Sequence, residues 1–389
     1  MLLTLLTFFI ILGILVLVHE LGHFVTARLF KVKADEFGFG LPPRIIGWVK
    51  NRAGRWQKVS GSDPAEGYQN TIWSLNWLPI GGFVKIKGED DSDGEVASDS
   101  FASKEIWQRF IMLFAGVFMN FALCFVLLTV GFASGIPTMV DDTPAAGLNF
   151  KNEKIQVISV SADSPASRAG LQIGDIVKSV NHELVFNIKD LQEKIHSQKD
   201  QPTEFIFLRG DEEFSKTITP EALKDAEGRG AIGIGLVKTA IITYPLDQAI
   251  REGAKNTAGL TVAIIEAFGK IIGDIFAHGK VAAEVSGPVG IAVMTGQVVK
   301  LGFIYILQFA AMLSLNLAIV NLLPIPGLDG GRILFLLFEK IKGRPLKQKY
   351  VGLVHQFGFF FLIALIILVT FKDLRTYGAG ILGALKSIF

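Results

Sequence analysis

The sequence has almost no cysteine, and charged residues are missing from several of its longest segments. Cys124 is the single cysteine among 389 residues, so the chain can form neither a disulfide framework nor a cysteine-rich metal site. The formal net charge of +2 gives no strong electrostatic field, and on that ground nucleic acid is excluded as a partner. Half of the residues (50%) are hydrophobic and 19% are charged, which predicts a protein that is part membrane and part soluble.

Four segments with little or no charge are long enough to cross a bilayer, which takes about 20 apolar residues. The sequence therefore predicts a polytopic α-helical membrane protein. The first of these helices is expected to be retained, because no basic region or cleavage site marks it as a signal peptide. The four transmembrane helices are expected within residues 1–34, 109–140, 301–331 and 350–372.

Lysine and arginine near the ends of these segments predict how the chain is oriented. Arg28, Lys31 and Lys33 follow the first helix, and residues 332–350 hold six basic residues against Glu339 alone. Basic residues near span ends mark the cytoplasmic side, so both of these stretches are expected there. With four spans, both termini and the large segment between the second and third helices are then extracytoplasmic.

The cytoplasmic-side region, residues 35–108, combines glycine-rich apolar pieces with an acidic loop. The pieces EFGFGLPPRIIGW and LNWLPIGGFVKIKG predict short strands or hairpins that lie against the membrane or dip into it. A plain surface hairpin is the alternative. The stretch GEDDSDGEVASDS, with six acidic residues and no basic one, is typical of a solvated loop.

Residues 152–237 are predicted to form a soluble domain. Short β-type runs alternate with turns and one helical stretch, and Gly210-Asp211 indicates a hairpin. The cluster SPASRAGLQIGDIVKSVN resembles a PDZ domain, which implies that an extended peptide or a trimmed substrate terminus adds as a strand in a groove. A spacer that binds nothing is the alternative.

The following segment, residues 245–299, is predicted to contain an amphipathic helix that lies flat on the membrane. Apolar residues recur at helical spacing over residues 261–277. Glu266, Lys270 and Asp274 form a polar stripe opposite them, so this helix is too polar to span.

The sequence HELGH interrupts the first apolar segment. His19 and His23 are four residues apart, so on a helix both imidazoles can reach one metal ion. Glu20 points to the adjacent face, where it can act on a water without being a ligand. Ionisable groups near the middle of a bilayer cost about 2.5–3.5 kcal/mol each, so they are rarely kept without a use. The pattern predicts a catalytic metal site; polar residues that bridge helices, or a purely structural zinc, are the alternatives.

A catalytic zinc takes three protein ligands and keeps one position open. The third apolar segment ends in NLLPIPGLDGG, where two prolines must break the helix. Broken backbone at membrane depth is tolerated only where protein or a water-filled cavity surrounds it. Asp329 follows this break at the predicted depth of HELGH and is the predicted third ligand. The alternative is a solvated turn at the end of the third helix.

HELGH followed by NLLPIPGLDGG resembles the site-2 protease family of intramembrane zinc metalloproteases, and the chain is most similar to its regulator of sigma-E protease branch. FGFG, LPIGGFVKI, AGVFMN, the PDZ-like segment and SGPVGI follow in the order of the family. Two features depart from it. The chain has room for one PDZ domain where the best-known members of the branch have two, and Val117 stands where the family usually has proline.

The resemblance implies an endopeptidase of the bacterial plasma membrane that cuts transmembrane segments of single-span proteins. Its typical substrate would be an anti-sigma factor already trimmed by a first protease. One Zn²⁺ per chain would be held by His19, His23 and Asp329 in the lipid bilayer, while Glu20 takes a proton from water and delivers it to the leaving amine.

A substrate helix has to unwind before its backbone can be attacked. Residues of the two glycine-rich pieces are candidates to pair with the unwound strand: Phe39, Gly40, Gly81, Gly82 and Phe83. The family pattern implies that Asn321, and similarly Asn120, holds the substrate chain or the oxyanion. For each asparagine, a hydrogen bond that packs helices is the alternative.

Two other functions compete with proteolysis. A non-catalytic membrane scaffold would use the PDZ domain to collect peptides and the metal only for structure. A transporter is also compatible with a broken helix and an acid at membrane depth, but no inverted repeat is visible in the sequence.

Overall fold

The computed structural model describes residues 2–61, 63–65, 68–89, 97–139, 149–210, 212–222, 229–278, 286–344, 346 and 348–386. The chain folds as two compact units, and each is described by itself. The helical unit comprises Met1–Leu128, Gly253–Val299 and Ile306–Phe389. The inserted unit comprises Thr129–Glu252 and Lys300–Tyr305.

The helices are α1 (Leu2–Leu29), α2 (Ile106–Ser134), α3 (Pro165–Arg168), α4 (Ile188–Ser197), α5 (Leu246–His278), α6 (Pro288–Leu301), α7 (Phe303–Leu322), α8 (Asp329–Lys342) and α9 (Gln348–Lys386). The strands are β1 (Ala34–Lys50), β2 (Trp56–Ser60), β3 (Ile72–Ile86), β4 (Ile136–Met139), β5 (Asn149–Val160), β6 (Ile176–Val180), β7 (Glu183–Leu184), β8 (Thr203–Arg209), β9 (Glu212–Ile218), β10 (Glu221–Ala222), β11 (Gly230–Ala231) and β12 (Ile234–Thr243).

Within the described part of the chain, four helices are long and apolar enough to cross a membrane: α1, α2, α7 and the Tyr350–Gly378 portion of α9. This confirms the predicted class of a polytopic helical membrane protein. Ile11 and Leu15 of α1 pack against Phe309 and Ala310 of α7, with apolar residues of α2 and α6 around them. The core of the helical unit thus lies beside the turn of α1 that carries HELGH.

The second spanning helix differs from its predicted bounds of 109–140. It begins three residues earlier, at Ile106, and ends at Ser134. Gly135 follows with a φ of +103°, a conformation that terminates helices. The chain then continues as β4, so residues 136–139 are strand and not helix. Residue 140, the last of the predicted span, lies outside the described residues.

The third spanning helix is also shorter than the predicted segment 301–331. It ends at Leu322 because Pro324 and Pro326 follow, and Asp329 starts the new helix α8. The alternative in which Asp329 belongs to a C-terminal turn of the third helix is therefore wrong.

The glycine-rich region forms one antiparallel sheet in the order β2-β1-β3. The strands are longer than the short hairpins expected from the sequence, with 17 residues in β1 and 15 in β3. One face of the sheet buries Val49, Val59 and Ile72. Residues 90–96 of the predicted acidic loop lie outside the described residues.

The inserted unit contains a sheet in the order β4-β12-β5-β6-β8-β9, with β7 paired to β6. Phe205, Phe207 and Leu191 lie at the centre of its core and are fully buried. Asn187 caps α4, since its side chain accepts a hydrogen bond from the Asp190 amide at 2.6 Å. β8 and β9 flank Gly210, and Asp211 of that predicted hairpin lies outside the described residues.

The predicted amphipathic helix is part of the longer α5, which has 33 residues. Large apolar side chains are exposed along it at Leu246, Ile250, Val262 and Ile265. Its position flat on the membrane stays a prediction.

Candidate active site

HELGH lies on the last three turns of α1, and the ring nitrogens of its two histidines converge on one carboxylate. Nε2 of His19 is 3.2 Å from Nε2 of His23. Oδ2 of Asp329 is 2.9 Å from the first and 3.4 Å from the second. The three side chains thus form the His-His-Asp group predicted as a metal site, although His19 and Asp329 are 310 residues apart in sequence.

Two glycines let α1 and α2 approach closely at this point. A β-carbon on Gly22 would lie 2.4 Å from the carbonyl oxygen of Ala115. A β-carbon on Gly116 would lie 2.3 Å from Nε2 of His23 and 2.8 Å from Nε2 of His19. Small residues at a helix crossing allow backbone contact, and here they leave room for both imidazoles.

The hydrogen bond made by the other ring nitrogen of His23 decides which nitrogen can bind a metal. Nδ1 lies 2.8 Å from the carbonyl oxygen of Met112, which can only accept, so Nδ1 carries the proton. In the neutral imidazole Nε2 is then the bare nitrogen, and it faces His19 and Asp329. This is the usual way in which a backbone carbonyl orients a metal-binding histidine.

Asn120 lies behind His19 and is fully buried. Its amide nitrogen is 3.2 Å from Nδ1 of His19, and its Oδ1 has no partner among the described residues. Turning the amide by 180° would let Oδ1 accept from a protonated Nδ1 and leave Nε2 of His19 bare. Two bare imidazole nitrogens and a carboxylate oxygen fit a zinc ion with three protein ligands. Asn120 thus contacts His19 and is not among the described residues that line the cavity in front of the site, so its contact with a substrate stays a prediction.

Asp329 is presented by the proline-rich break and the first turn of α8. Gly330 and Gly331 fit tightly, since β-carbons there would lie 2.2 Å and 2.4 Å from carbonyl oxygens of Leu323 and Ile325. The side chain of Asp329 is 18% exposed, so it is not the solvated carboxylate of the alternative interpretation.

α9 packs against this break and holds its backbone. The Gly327 amide donates to Nδ1 of His355 at 3.0 Å. A β-carbon on Gly358 would lie 2.0 Å from the carbonyl oxygen of Pro326. The loop that carries Asp329 is therefore positioned by the last spanning helix.

Glu20 lies on the neighbouring face of α1, as expected from its place in HELGH. β3 passes this side chain at its glycine pair, and a β-carbon on Gly82 would lie 3.1 Å from Cγ of Glu20. Gly81, with a φ of +84°, fits against Val16 in the same way. The glycines thus bring the strand against the helix beside the carboxylate.

A cavity of about 760 Å³ opens in front of these groups. His19, Glu20, His23 and Asp329 line it together with His355. Two ion pairs also lie on its wall: Arg332 with Glu89, and Arg109 with Glu339 at 2.7 Å.

The remaining predicted site residues lie in the sheet or at the end of α7. Phe39 is 38% exposed and its ring faces the Gly13 backbone. Gly40, with a φ of +86°, fits against the Leu78 carbonyl, and Phe83 is half-buried. Asn321 is half-buried on the last turn of α7 and is not among the described residues that line the cavity.

Sequence reasoning missed the contributions of Met112, Gly116, Arg332 and His355. His355 had a signal, because it is the only ionisable residue in residues 351–371. The carbonyl group of Met112 gives no signal in the sequence, because every residue has a backbone carbonyl.

Two histidines one turn apart and an adjacent glutamate on a helix of membrane-spanning length, with an aspartate from the start of the shorter α8 as the third candidate ligand, define a membrane metallopeptidase. The sequence profile of peptidase family M50 matches residues 7–58 and 65–365. The chain belongs to this family, the site-2 proteases, and it is a zinc-dependent membrane endopeptidase.

Curated relatives match the chain over almost their whole length. The zinc metalloprotease RasP of Bacillus licheniformis is 30% identical over 96% of this chain and 99% of that protein. The regulator of sigma-W protease RasP of Bacillus subtilis is 29% identical over 96% of this chain and 98% of that protein. A putative zinc metalloprotease of Clostridium perfringens is 32% identical over 92% of this chain and 95% of that protein.

Among solved structures, the PDZ domain of an SdrC-like protein from Listeria monocytogenes is 26% identical, with a TM-score of 0.21. The match covers 23% of this chain and 92% of that one.

Proposed function

We propose that this protein cleaves transmembrane segments of single-span membrane proteins after a first protease has trimmed them, as in regulated intramembrane proteolysis. The observation that carries the proposal is the convergence of His19 and His23, on the spanning helix α1 beside Glu20, with Asp329 at the start of α8. Such a placement serves a substrate that is itself in the membrane. Anti-sigma factors are the proposed substrate type, in keeping with the name of the Bacillus subtilis relative.

In the proposed mechanism, His19, His23 and Asp329 hold one Zn²⁺. A zinc ion, when bound, lowers the pKa of water and polarises a carbonyl group. Glu20 accepts the proton of the attacking water and passes it to the leaving amine. Met112 and Asn120 keep the imidazoles oriented throughout, and α2 excludes solvent from their far side.

The unwound substrate chain is proposed to add as a strand to β3. Residues 73–75 of β3 pair with β1 on both sides, whereas residues 82–86 pair with it on one side only and leave their other edge without a partner strand among the described residues. Gly82 on this strand lies against Glu20, so a chain paired there would pass the general base. Phe39, Gly40 and Phe83 are proposed to line the same path. Asn321, at the end of α7, is proposed to contact the chain further along it.

The trimmed terminus of the substrate is proposed to bind to the inserted PDZ domain. A groove of about 530 Å³ there is lined by Ile195 and His196 of α4 and by residues 229–236. Among the described residues, β4 pairs with the part of β12 from Thr239 to Ile242, and no described strand pairs with that edge of the preceding part, where strand addition is proposed. Arg229 and His196 line this groove, and none of the described residues that line it is acidic, which suits a free carboxylate.

In the proposed orientation, the PDZ domain and both termini are extracytoplasmic and the active site lies toward the cytoplasmic side. The basic residues after α1 and in residues 332–350 support this.

Glu20→Gln tests the enzymatic function against the scaffold alternative. The variant should keep its zinc and lose cleavage of a membrane-anchored reporter, because the amide cannot take up the proton. The reporter is co-expressed with wild type or variant, and zinc is measured on the purified proteins. Unchanged cleavage would refute the proposal.

A further inference from the structure

The outer face of the sheet β2-β1-β3 concentrates tryptophan and lysine. Lys50 lies opposite Trp56 in the β1–β2 register, and Trp48 lies opposite Lys58. Trp73 of β3 is paired with Trp48 on the other side. Because paired residues and every second residue of a strand point the same way, these five side chains share one face.

This face is exposed while the opposite face is the buried one. Trp48, Trp56 and Trp73 are 43%, 57% and 42% exposed. Val49 and Val59, which alternate with them along the strands, are 0% exposed. Tryptophan side by side with lysine is typical of the interface between membrane and water, where the ring is partly in hydrocarbon and the ammonium reaches the headgroups.

The hairpin that joins β1 and β2 is strongly basic although the chain as a whole is nearly neutral. Residues 50–58, KNRAGRWQK, contain four basic residues and no acidic one. Asn51 orders the turn, since its Oδ1 accepts from the amides of Ala53 and Arg55 at 3.0 Å each. No carboxylate among the described residues forms an ion pair with Lys50, Arg55 or the other two basic side chains.

A groove connects this face with the end of α1. Arg28, from the last turn of the helix, and Lys50 both line it, and no acidic residue is found in the part of its lining that the structure describes. Its volume is about 730 Å³. Lys50 Nζ lies 5.3 Å from the centre of the Trp56 ring. The described residues that line the groove are Phe24, Val25, Arg28, Leu29, Lys50, Trp56, Asn70, Thr71 and Trp73.

We propose that this groove binds the phosphate group of an anionic phospholipid. Arg28 and Lys50 contact the phosphate, Trp56 and Trp73 lie at headgroup level, and the acyl chains run along the exposed side chains of Val25 and Leu29. The groove combines basic side chains with exposed apolar side chains at the end of a spanning helix, so it suits an amphiphilic lipid better than a free phosphate ion. It also suits such a lipid better than an acidic protein segment, which would leave Val25 and Leu29 uncovered.

Lipid binding at this place acts on the strand that borders the active site. β3 contains both Trp73, on the groove, and Gly82, against Glu20. A lipid held at the first of these residues would therefore anchor β3 to the membrane surface. This consequence is independent of the proposed peptidase activity, since it concerns where the sheet lies and not what the site does.

The test follows the depth of the hairpin in bilayers of different charge. The full chain carries Cys124→Ala and Ala53→Cys, the latter labelled with an environment-sensitive fluorophore, and is placed in nanodiscs of phosphatidylcholine with increasing phosphatidylglycerol. We expect a blue shift that grows with the phosphatidylglycerol fraction and is reversed by high salt. Arg28→Gln combined with Lys50→Gln should weaken the apparent affinity for the anionic lipid about fivefold per charge removed, which moves the midpoint to a higher phosphatidylglycerol fraction.

The matched control removes two exposed basic residues of the PDZ domain, Lys154→Gln with Lys189→Gln, and should leave the midpoint unchanged. Lys50→Gln with Trp56→Ala is the second site variant, in case loss of Arg28 disturbs its 3.3 Å contact with Thr71. Equal emission in neutral and anionic discs would overturn the proposal. So would a shift produced in neutral discs by inorganic phosphate, or one that needs an acidic substrate peptide.

Discussion

The α-carbon of Gly116 lies so close to His23 that a β-carbon there would be 2.3 Å from Nε2 of the imidazole. The absence of one methyl group on α2 is thus what allows the two nitrogens that are proposed to bind the metal to occupy their positions on α1. The same crossing is closed by Gly22 against Ala115, so the two helices meet backbone to backbone.

Gly116→Ala should therefore abolish zinc binding while making α2 a better helix former. The zinc content should fall to less than about a tenth of the wild-type value. Because alanine is favoured over glycine in helices by about 1 kcal/mol, this loss cannot come from a weaker helix and has a steric cause. Zinc is measured by atomic emission on purified protein. Gly269→Ala, in α5 with open space around it, is the control and should keep its zinc. A fully loaded Gly116→Ala protein would contradict the close approach.

Asn120→Ala should weaken zinc binding about 10- to 100-fold, the usual effect of removing a group that orients a metal ligand. Without it, nothing among the described residues bonds to Nδ1 of His19. The dissociation constant is measured by competition with a chelator. Asn120→Asp, which retains an oxygen acceptor at the same place, should stay within about tenfold of wild type. An unchanged affinity in the alanine variant would show that His19 is oriented by other contacts.

His355 allows the loop of Asp329 to be tested with two isosteric replacements. Asparagine can place an acceptor near the position of Nδ1, whereas glutamine places its amide near Nε2. Because Nδ1 accepts the Gly327 amide, His355→Asn should keep zinc content and cleavage. His355→Gln should lose about 1 kcal/mol of stability, measured by thermal unfolding, together with part of its zinc. If His355→Gln kept its zinc and stability while His355→Asn lost them, the atom of His355 that holds the loop would be Nε2.

Arg229→Glu should reduce the discrimination between trimmed and untrimmed substrates without changing cleavage of a short reporter. The reversed charge would repel a terminal carboxylate in the groove between α4 and β12. A point substitution is preferable to deletion of residues 152–237, because β12 runs to Thr243 and its second half pairs with β4. Cleavage rates of both substrates are compared, with Lys216→Glu on the exposed β9 as control. Equal ratios in all three proteins would remove the groove from substrate selection.

Much of the candidate site could be predicted because its ionisable residues lie in apolar segments, where such residues are rare. Two histidines four apart in an apolar run, and an aspartate after two prolines, are conspicuous at membrane depth. The role of Asn120 as a neighbour of His19 could not be predicted, since it depends on how α1 crosses α2. The lengths of β1 and β3 were also missed, because bulges and a bend extend strands through glycines and prolines that usually end them.

His19 and Asp329 are 310 residues apart, and this distance has a consequence for the making of the protein. A chain grows from its N-terminus, so α1 enters the membrane with two of the three proposed ligands long before α8 exists. The PDZ domain and two further spanning helices must follow before the third ligand arrives. With the proposed ligand set, the enzyme therefore cannot cut its neighbours in the insertion machinery during synthesis, and activity would begin only when the chain is nearly complete.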